Sequence, residues 1–165
     1  MNQPTTSRIH GCVECGGTTV RIAIMRVSNH ELPQTLSDFE ILEKKTMQTD
    51  PREECVSAII EMFLTHKPDQ IGISSFGPID LNRNSDTWGS IMTVASSSKA
   101  GWAQYSLAQE LSQKIYNGDR TNVFVVSDVY GAAIAEYKLA NHYAEHALAY
   151  VTVGTGIGVG LYIRG

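Results

Sequence analysis

The chain has 165 residues, 42% of them apolar and 18% charged, which fits one folded domain of ordinary size, or one and part of another. A net charge of −4 provides no bulk basic field for nucleic acid or anionic lipid. No run of about 18 apolar residues is available to span a membrane, and the opening MNQPTTSRIHG lacks an apolar signal region.

The three cysteines, Cys12, Cys15 and Cys55, are an odd and sparse set in a chain without an export signal, which points to reduced thiols and a cytoplasmic location. RIHGCVEC is expected to be a first strand. TVRIAIMRVS alternates as a second, with GGTT as the turn between them. Cys12 and Cys15 form a C-x-x-C pair within the first strand. Zinc would need a second ligand pair and a redox site would need a helix start, so packing is the expected role.

FEILEKKTMQ is expected to be a third strand. TDPREECVSAIIEMFLTH opens with helix signals: Asp50 as the cap, Pro51 at the first helical position and Glu53 completing a capping box. Val56, Ile59, Ile60 and Phe63 then fall on one helical face. QIGISSF is a buried-type strand ended by GPID. From Asn82 to Lys99 the chain is polar, as in a long loop with a short hairpin.

YSLAQELSQKIY is a helix with Leu107, Leu111 and Ile115 on one stripe, broken by NGDRT. NVFVVSD is a strand, YGAAIAEYKLA a helix, ALAYVTV a strand, and VTVGTGIGVGLYI a final hairpin. The order β-β-β-α-β-α-β-α-β-β argues for an α/β fold.

VECGGTTVRIAI and VTVGTGIGVGLYI repeat one pattern of strand, Gly/Thr turn and strand. Gly16, Gly17 and Thr18, and again Gly154, Thr155 and Gly156, can take positive φ and turn successive N–H groups toward a phosphate. Plain hairpin turns would look the same. No P-loop pattern occurs. The dinucleotide pattern fails because Val159 stands where a third glycine would be needed. Asp128, between an apolar run and an Ala-rich helix, is either a helix cap or a carboxylate at the carboxyl end of a strand, where open α/β sheets place their sites.

Two further patterns have bland readings. HYAEH, from His142 to His146, spells an inverted zinc motif but has almost no chain after it to supply a third ligand. Trp88 and Trp102 could stack on a ring, but packing under the long loop is the expected role.

Taken in order, VECGGTT, IGISSFGPIDLNRNSDTWGSI, KAGW, SDVYGAAIAEY and YVTVGTGIGVGLYIRG resemble the ROK family of sugar kinases, above all its bacterial fructokinase branch. The resemblance runs from about Gly11 to the last residue. It implies an actin/hexokinase-like (ribonuclease H-like) α/β fold with a cleft between two domains, and transfer of phosphate from ATP to a hexose, fructose first and glucose or mannose as alternatives.

By that resemblance Asp128 is the base and residues 16–18 and 154–156 are the two phosphate loops. Ser75, Gly77 and Pro78 line the sugar pocket, and Glu14 stands near Mg²⁺. The implied division is 1–120 for a first domain and 121–165 for the beginning of a second.

Family members are about twice this long. The sugar-binding E-x-G-H, the structural zinc ligands and the adenosine pocket have no counterpart here. The chain is therefore expected to be truncated, with an uncovered apolar face and an unpaired edge on its last strands, and poorly soluble alone. A non-catalytic remnant is the rival reading. The expected partners are a nucleotide and a hexose, with a homodimer or a complementing second chain beside them. Three details depart from the family pattern: Thr19 replaces a lysine after the first loop, Tyr130 replaces an asparagine beside the base, and TVASSSKAGW replaces a Pro-stiffened segment.

Overall fold

The computed structural model describes residues 7–27, 38–92, 97–139, 146–154 and 156–164. Among them run β1 (Arg8–Cys15), β2 (Thr19–Val27), β3 (Phe39–Gln48), α1 (Arg52–His66), β4 (Gln70–Ser75), α2 (Leu107–Tyr116), β5 (Val123–Ser127), α3 (Asp128–Leu139), β6 (Ala147–Val153) and β7 (Ile157–Ile163), with a 3-10 segment at Ser97–Trp102. This is the element order the sequence predicts.

The strands form a five-stranded sheet in the order β3-β2-β1-β4-β5 and a separate β6-β7 pair. β1, β2 and β3 pair antiparallel as a meander. β4 then lies parallel to β1, and β5 parallel to β4. The connections through α1 and α2 are the crossovers that parallel pairing requires. At the edge, β3 carries Glu40, Glu43, Lys44 and Lys45, charges that blunt an otherwise open strand.

Period-two alternation selects the core face. Val13 and Cys15 of β1, Val20, Ile22 and Ile24 of β2, and Ile71 and Ile73 of β4 are buried against Cys55, Val56, Ile59, Met62 and Phe63 of α1 and Leu107, Ala108 and Leu111 of α2. Cys12 and Cys15 stand three apart on one strand, so their side chains leave opposite faces and cannot share a ligand. Burial pushes the Cys12 and Cys55 thiols up to about 11 and the Cys15 thiol higher still. All three are free; Cys15 packs in the core as predicted, while Cys12 is part-buried on the opposite face.

The start of α1 departs from expectation. The helix begins at Arg52, its cap position is Pro51, and no side chain caps it. The Asp50–Glu53 box does not form, because the Asp50 carboxylate accepts the indole N–H of Trp102 at 3.1 Å while Glu53 pairs with Arg52. Trp102 also donates to the carbonyl of Thr49 at 3.2 Å and sets its ring edge-on to Phe76 and Tyr105. Trp88 and Trp102 are both core residues, as predicted.

α2 is capped by Ser106, whose hydroxyl accepts from Gln109 N–H. It ends where Asn117 and Gly118 take left-handed conformations and Gly118 N–H reaches the Ser112 carbonyl.

The expected division at 120/121 falls just before β5, yet β5 completes the five-stranded sheet through its pairing with β4. The part set apart from that sheet is the β6–β7 hairpin, packed on α3 through Ala133 and through Tyr137 against Tyr162. The opposite face of the hairpin is bare: Val151, Val153, Ile157, Val159, Leu161 and Ile163 are 52–78% exposed. That is the uncovered apolar face the sequence leads one to expect.

Candidate functional site

The parallel register builds the site. Cys15 pairs with Ser75, and Ser75 pairs with Ser127. One row therefore crosses the carboxyl ends of β1, β4 and β5, and the next residues, Gly16, Phe76 and Asp128, leave the sheet side by side. Adjacent strands lie about 4.8 Å apart, so the first Gly/Thr turn and the carboxylate are separated by about two strand spacings. Phe76 N–H bonds the Cys15 carbonyl at 2.9 Å and ties the middle exit to the first.

The first turn is tight. Gly16 N–H donates to the Thr19 carbonyl at 2.9 Å, and the Thr49 hydroxyl holds the Gly16 carbonyl. Gly17 and Thr18 are exposed at the tip, and their N–H groups have no partner among the described residues. Positive φ, expected at these glycines, is not used. The described glycines with positive φ are Gly89 and Gly118. Gly16 is small because a Cβ there would meet the Thr19 carbonyl at 2.9 Å.

Asp128 is the first residue of α3, not its cap. Ser127 takes that role, its hydroxyl accepting from Tyr130 N–H at 3.3 Å. One oxygen of the half-buried Asp128 carboxylate accepts from Val129 N–H at 2.9 Å. Among the described residues its other oxygen has no hydrogen-bond partner, which leaves it free to accept a proton. The phenol of Tyr130, expected to crowd the base, is exposed. Ser127→Ala should cost about 1 kcal/mol of stability, the usual loss for a serine cap, measured as a lower urea midpoint at unchanged slope.

The second turn joins β6 to β7. Gly154 N–H donates to the Gly156 carbonyl at 2.9 Å, and a Cβ on either glycine would meet nothing within 4 Å. Thr155 lies outside the described residues, as does most of the HYAEH stretch. Gly158 and Gly160 differ from the turn glycines. They face α3, and a Cβ on Gly158 would meet the Val129 side chain at 2.8 Å. The hairpin is thereby set against the residue that follows Asp128.

The remaining predicted residues separate. Ser75 is buried and donates its hydroxyl to the Phe76 carbonyl, so its side chain faces the core and not an open pocket. Gly77 and Pro78 are exposed beyond it. Glu14 lies on the sheet face opposite α1 and α2, where Arg21 Nη1 holds both of its oxygens at 2.9 Å. It lines a groove of about 590 Å³ with Cys12, Gly72, Ser74 and Phe124.

Among the described residues no three His, Cys, Asp or Glu side chains converge as a metal cage. Mg²⁺ bound to a nucleotide needs only one or two carboxylates beside phosphate and water oxygens. Of the predicted acidic residues, Glu14 is paired with Arg21 through both of its oxygens.

Sequence reasoning misses Lys99. Its ammonium reaches the first turn, 2.8 Å from where a Cβ of Gly17 would stand, and it lies 4.3 Å from the centroid of the Phe76 ring. Burial lowers its pKa, while the Asp50 and Asp128 carboxylates act to raise it. The cation lost from the turn at Thr19 could have prompted a search for one arriving from elsewhere.

Comparison with known proteins bears on the family and the fold. The sequence profile of the ROK family matches residues 10–165. The chain is 33% identical over 156 residues to a fructokinase of Lactococcus lactis subsp. cremoris, covering 94% of this chain and 47% of that protein. It is 31% identical over 161 residues to a fructokinase of Streptococcus mutans, covering 96% and 48%. The structure superposes on a ROK hexokinase from Thermus thermophilus with a TM-score of 0.60 at 22% identity, over 96% of this chain and 46% of that one, which shows a shared fold. The chain spans about half the length of the curated relatives it matches. No described helix is long and apolar enough to cross a membrane.

Proposed function

The chain belongs to the ROK family, and from that premise we propose that it carries the base and the phosphate-holding turns of an ATP-dependent hexose kinase acting on fructose. The observation that carries the proposal is the Cys15–Ser75–Ser127 row, which sets the turn about two strand spacings from the carboxylate, with the Gly17 and Thr18 N–H groups and one carboxylate oxygen lacking partners among the described residues. Fructose as the acceptor is supported by the relatives named fructokinase.

In this reading Asp128 takes the proton of the 6-hydroxyl as its oxygen bonds the terminal phosphorus. The bond from that phosphorus to the bridging oxygen breaks, and ADP leaves. Gly17 and Thr18 N–H groups hold the phosphoryl oxygens, with the turn at residues 154–156 on the remaining phosphates. Mg²⁺, when bound with the nucleotide, neutralises charge on the phosphates. Gly77 and Pro78 are placed at the sugar, and the backbone around Ser75 supports them. Positioning supplies most of the rate, since phosphoryl transfer asks little covalent chemistry of the protein.

The test is transfer of phosphate from Mg·ATP to fructose, glucose and mannose in parallel, read by coupled ADP release and by sugar-phosphate mass. Product with fructose ahead of the other two supports the reading. Product with glucose or mannose ahead reassigns the sugar. No product, with no nucleotide binding, favours a non-catalytic chain.

A further inference from the structure

We propose that Lys99 supplies the cation of the first phosphate loop, its ammonium lying over Gly17 to grip the terminal phosphate of a nucleoside triphosphate between that turn and Asp128. The inference rests on the phosphotransfer reading and adds a residue to it.

Four observations lead there. The Gly16–Thr19 turn contains no charged side chain, and a backbone concavity alone is a modest anion site beside one that includes a cation. The Lys99 ammonium fills the space a side chain at position 17 would take, so it lies against the first turn at Gly17. Among the described residues that ammonium has no hydrogen bond or ion pair. It lies over the Phe76 ring, which attracts a cation without neutralising it.

The fourth observation is anchorage. Lys99 belongs to the Ser97–Trp102 segment, which is fixed by the Trp102 indole on Thr49 and Asp50 and by Arg52 Nη1 on the Gly101 carbonyl. Those anchors lie two and three residues after Lys99 and tie its backbone to the start of α1. Asp50 and Asp128 both attract it electrostatically, and Asp128 is the proposed base. A phosphate at this point would meet the ammonium, the turn amides and the attacking hydroxyl from different sides.

The experiment uses the chain as it is. Amine acylation is followed residue by residue by peptide mass spectrometry, with and without Mg·ATP or inorganic triphosphate. Either ligand should slow acylation of Lys99 and leave Lys67 and Lys114 unchanged. Lys99→Met should weaken binding of both ligands by about 10- to 100-fold, the scale of one lost charge-assisted hydrogen bond, with an unchanged thermal melt. Lys99→Arg should recover part of the loss. Gly17→Ala, which pushes the ammonium aside, should weaken binding too, and its effect should not add to that of Lys99→Met.

Three results would overturn the assignment. If the unaltered chain binds both ligands while Lys99 is acylated at its free rate, Lys99 is not at the phosphate. If Lys99→Met binds as well as the unaltered chain, the cation has no role and the kinase reading survives without it. If the unaltered chain binds neither ligand, the kinase reading falls and the role of Lys99 falls with it. Should Lys99→Met not fold, the protection result on the unaltered chain decides alone.

Discussion

Asp128→Asn should reduce phosphate transfer to the hexose by about 10²- to 10⁴-fold, the usual contribution of a positioned general base, while leaving the fold intact. The two halves of this expectation have separate structural causes. The structural duty of Asp128 is to accept Val129 N–H through one oxygen, and an asparagine carbonyl can do the same. The helix cap belongs to Ser127 and is untouched. Proton acceptance uses the other oxygen, and an amide nitrogen at that place cannot take a proton.

The loss should appear in kcat with little change in KM for the sugar, because the interaction lost is one made in the transition state. A second readout follows from the charge. Asp128 raises the Lys99 pKa, so its neutralisation should lower that pKa further and speed acylation of Lys99 at fixed pH. A variant with kcat close to the original would remove Asp128 from the chemistry. Retained acylation kinetics would place it away from Lys99.

The sequence carries the fold where signals are local. Each strand and helix occurs in the order its periodicity predicts, and a carboxylate just past an apolar run does lie at the carboxyl end of a parallel strand. The errors arise where a distant partner competes. Asp50 has the right type and spacing to cap α1, but the Trp102 indole claims its carboxylate. Val123–Ser127 looks like the opening of a second unit, but its pairing with β4 makes it the last strand of the first sheet.

Ser75 falls within a string that resembles a sugar-pocket loop, yet strand alternation turns its side chain into the core. Lys99 is invisible as a site residue because its approach to Gly17 depends on how the whole 97–102 segment is anchored. The helix-forming stretch after Asp128 does not reveal which of two adjacent polar residues caps it; geometry assigns that to Ser127.

The alternating glycines of VGTGIGVG have two different causes, and substitution separates them. Gly160→Ala should destabilise the chain by about 3 kcal/mol or more, the upper range for overpacking a close contact. A Cβ there would stand 2.0 Å from the Val129 carbonyl oxygen, 2.4 Å from its carbon and 2.9 Å from Tyr130 N. These are backbone atoms of the first turn of α3, so no rotamer change relieves the clash. Either the hairpin lifts off the helix or the helix start moves. Asp128, one residue before Val129, moves with it. Stability and phosphate transfer should therefore fall together in Gly160→Ala.

Gly156→Ala provides the contrast. Its Cβ would meet nothing within 4 Å, so its unfolding free energy should stay within about 0.5 kcal/mol of the original, as for other exposed positions. Binding of Mg·ATP should still weaken if that turn approaches phosphate closely. Urea denaturation of the two variants, paired with triphosphate binding of each, checks both expectations. Equal stability in the two would mean that α3 and the hairpin are not packed as described, and the coupling between the second turn and the base would go with it.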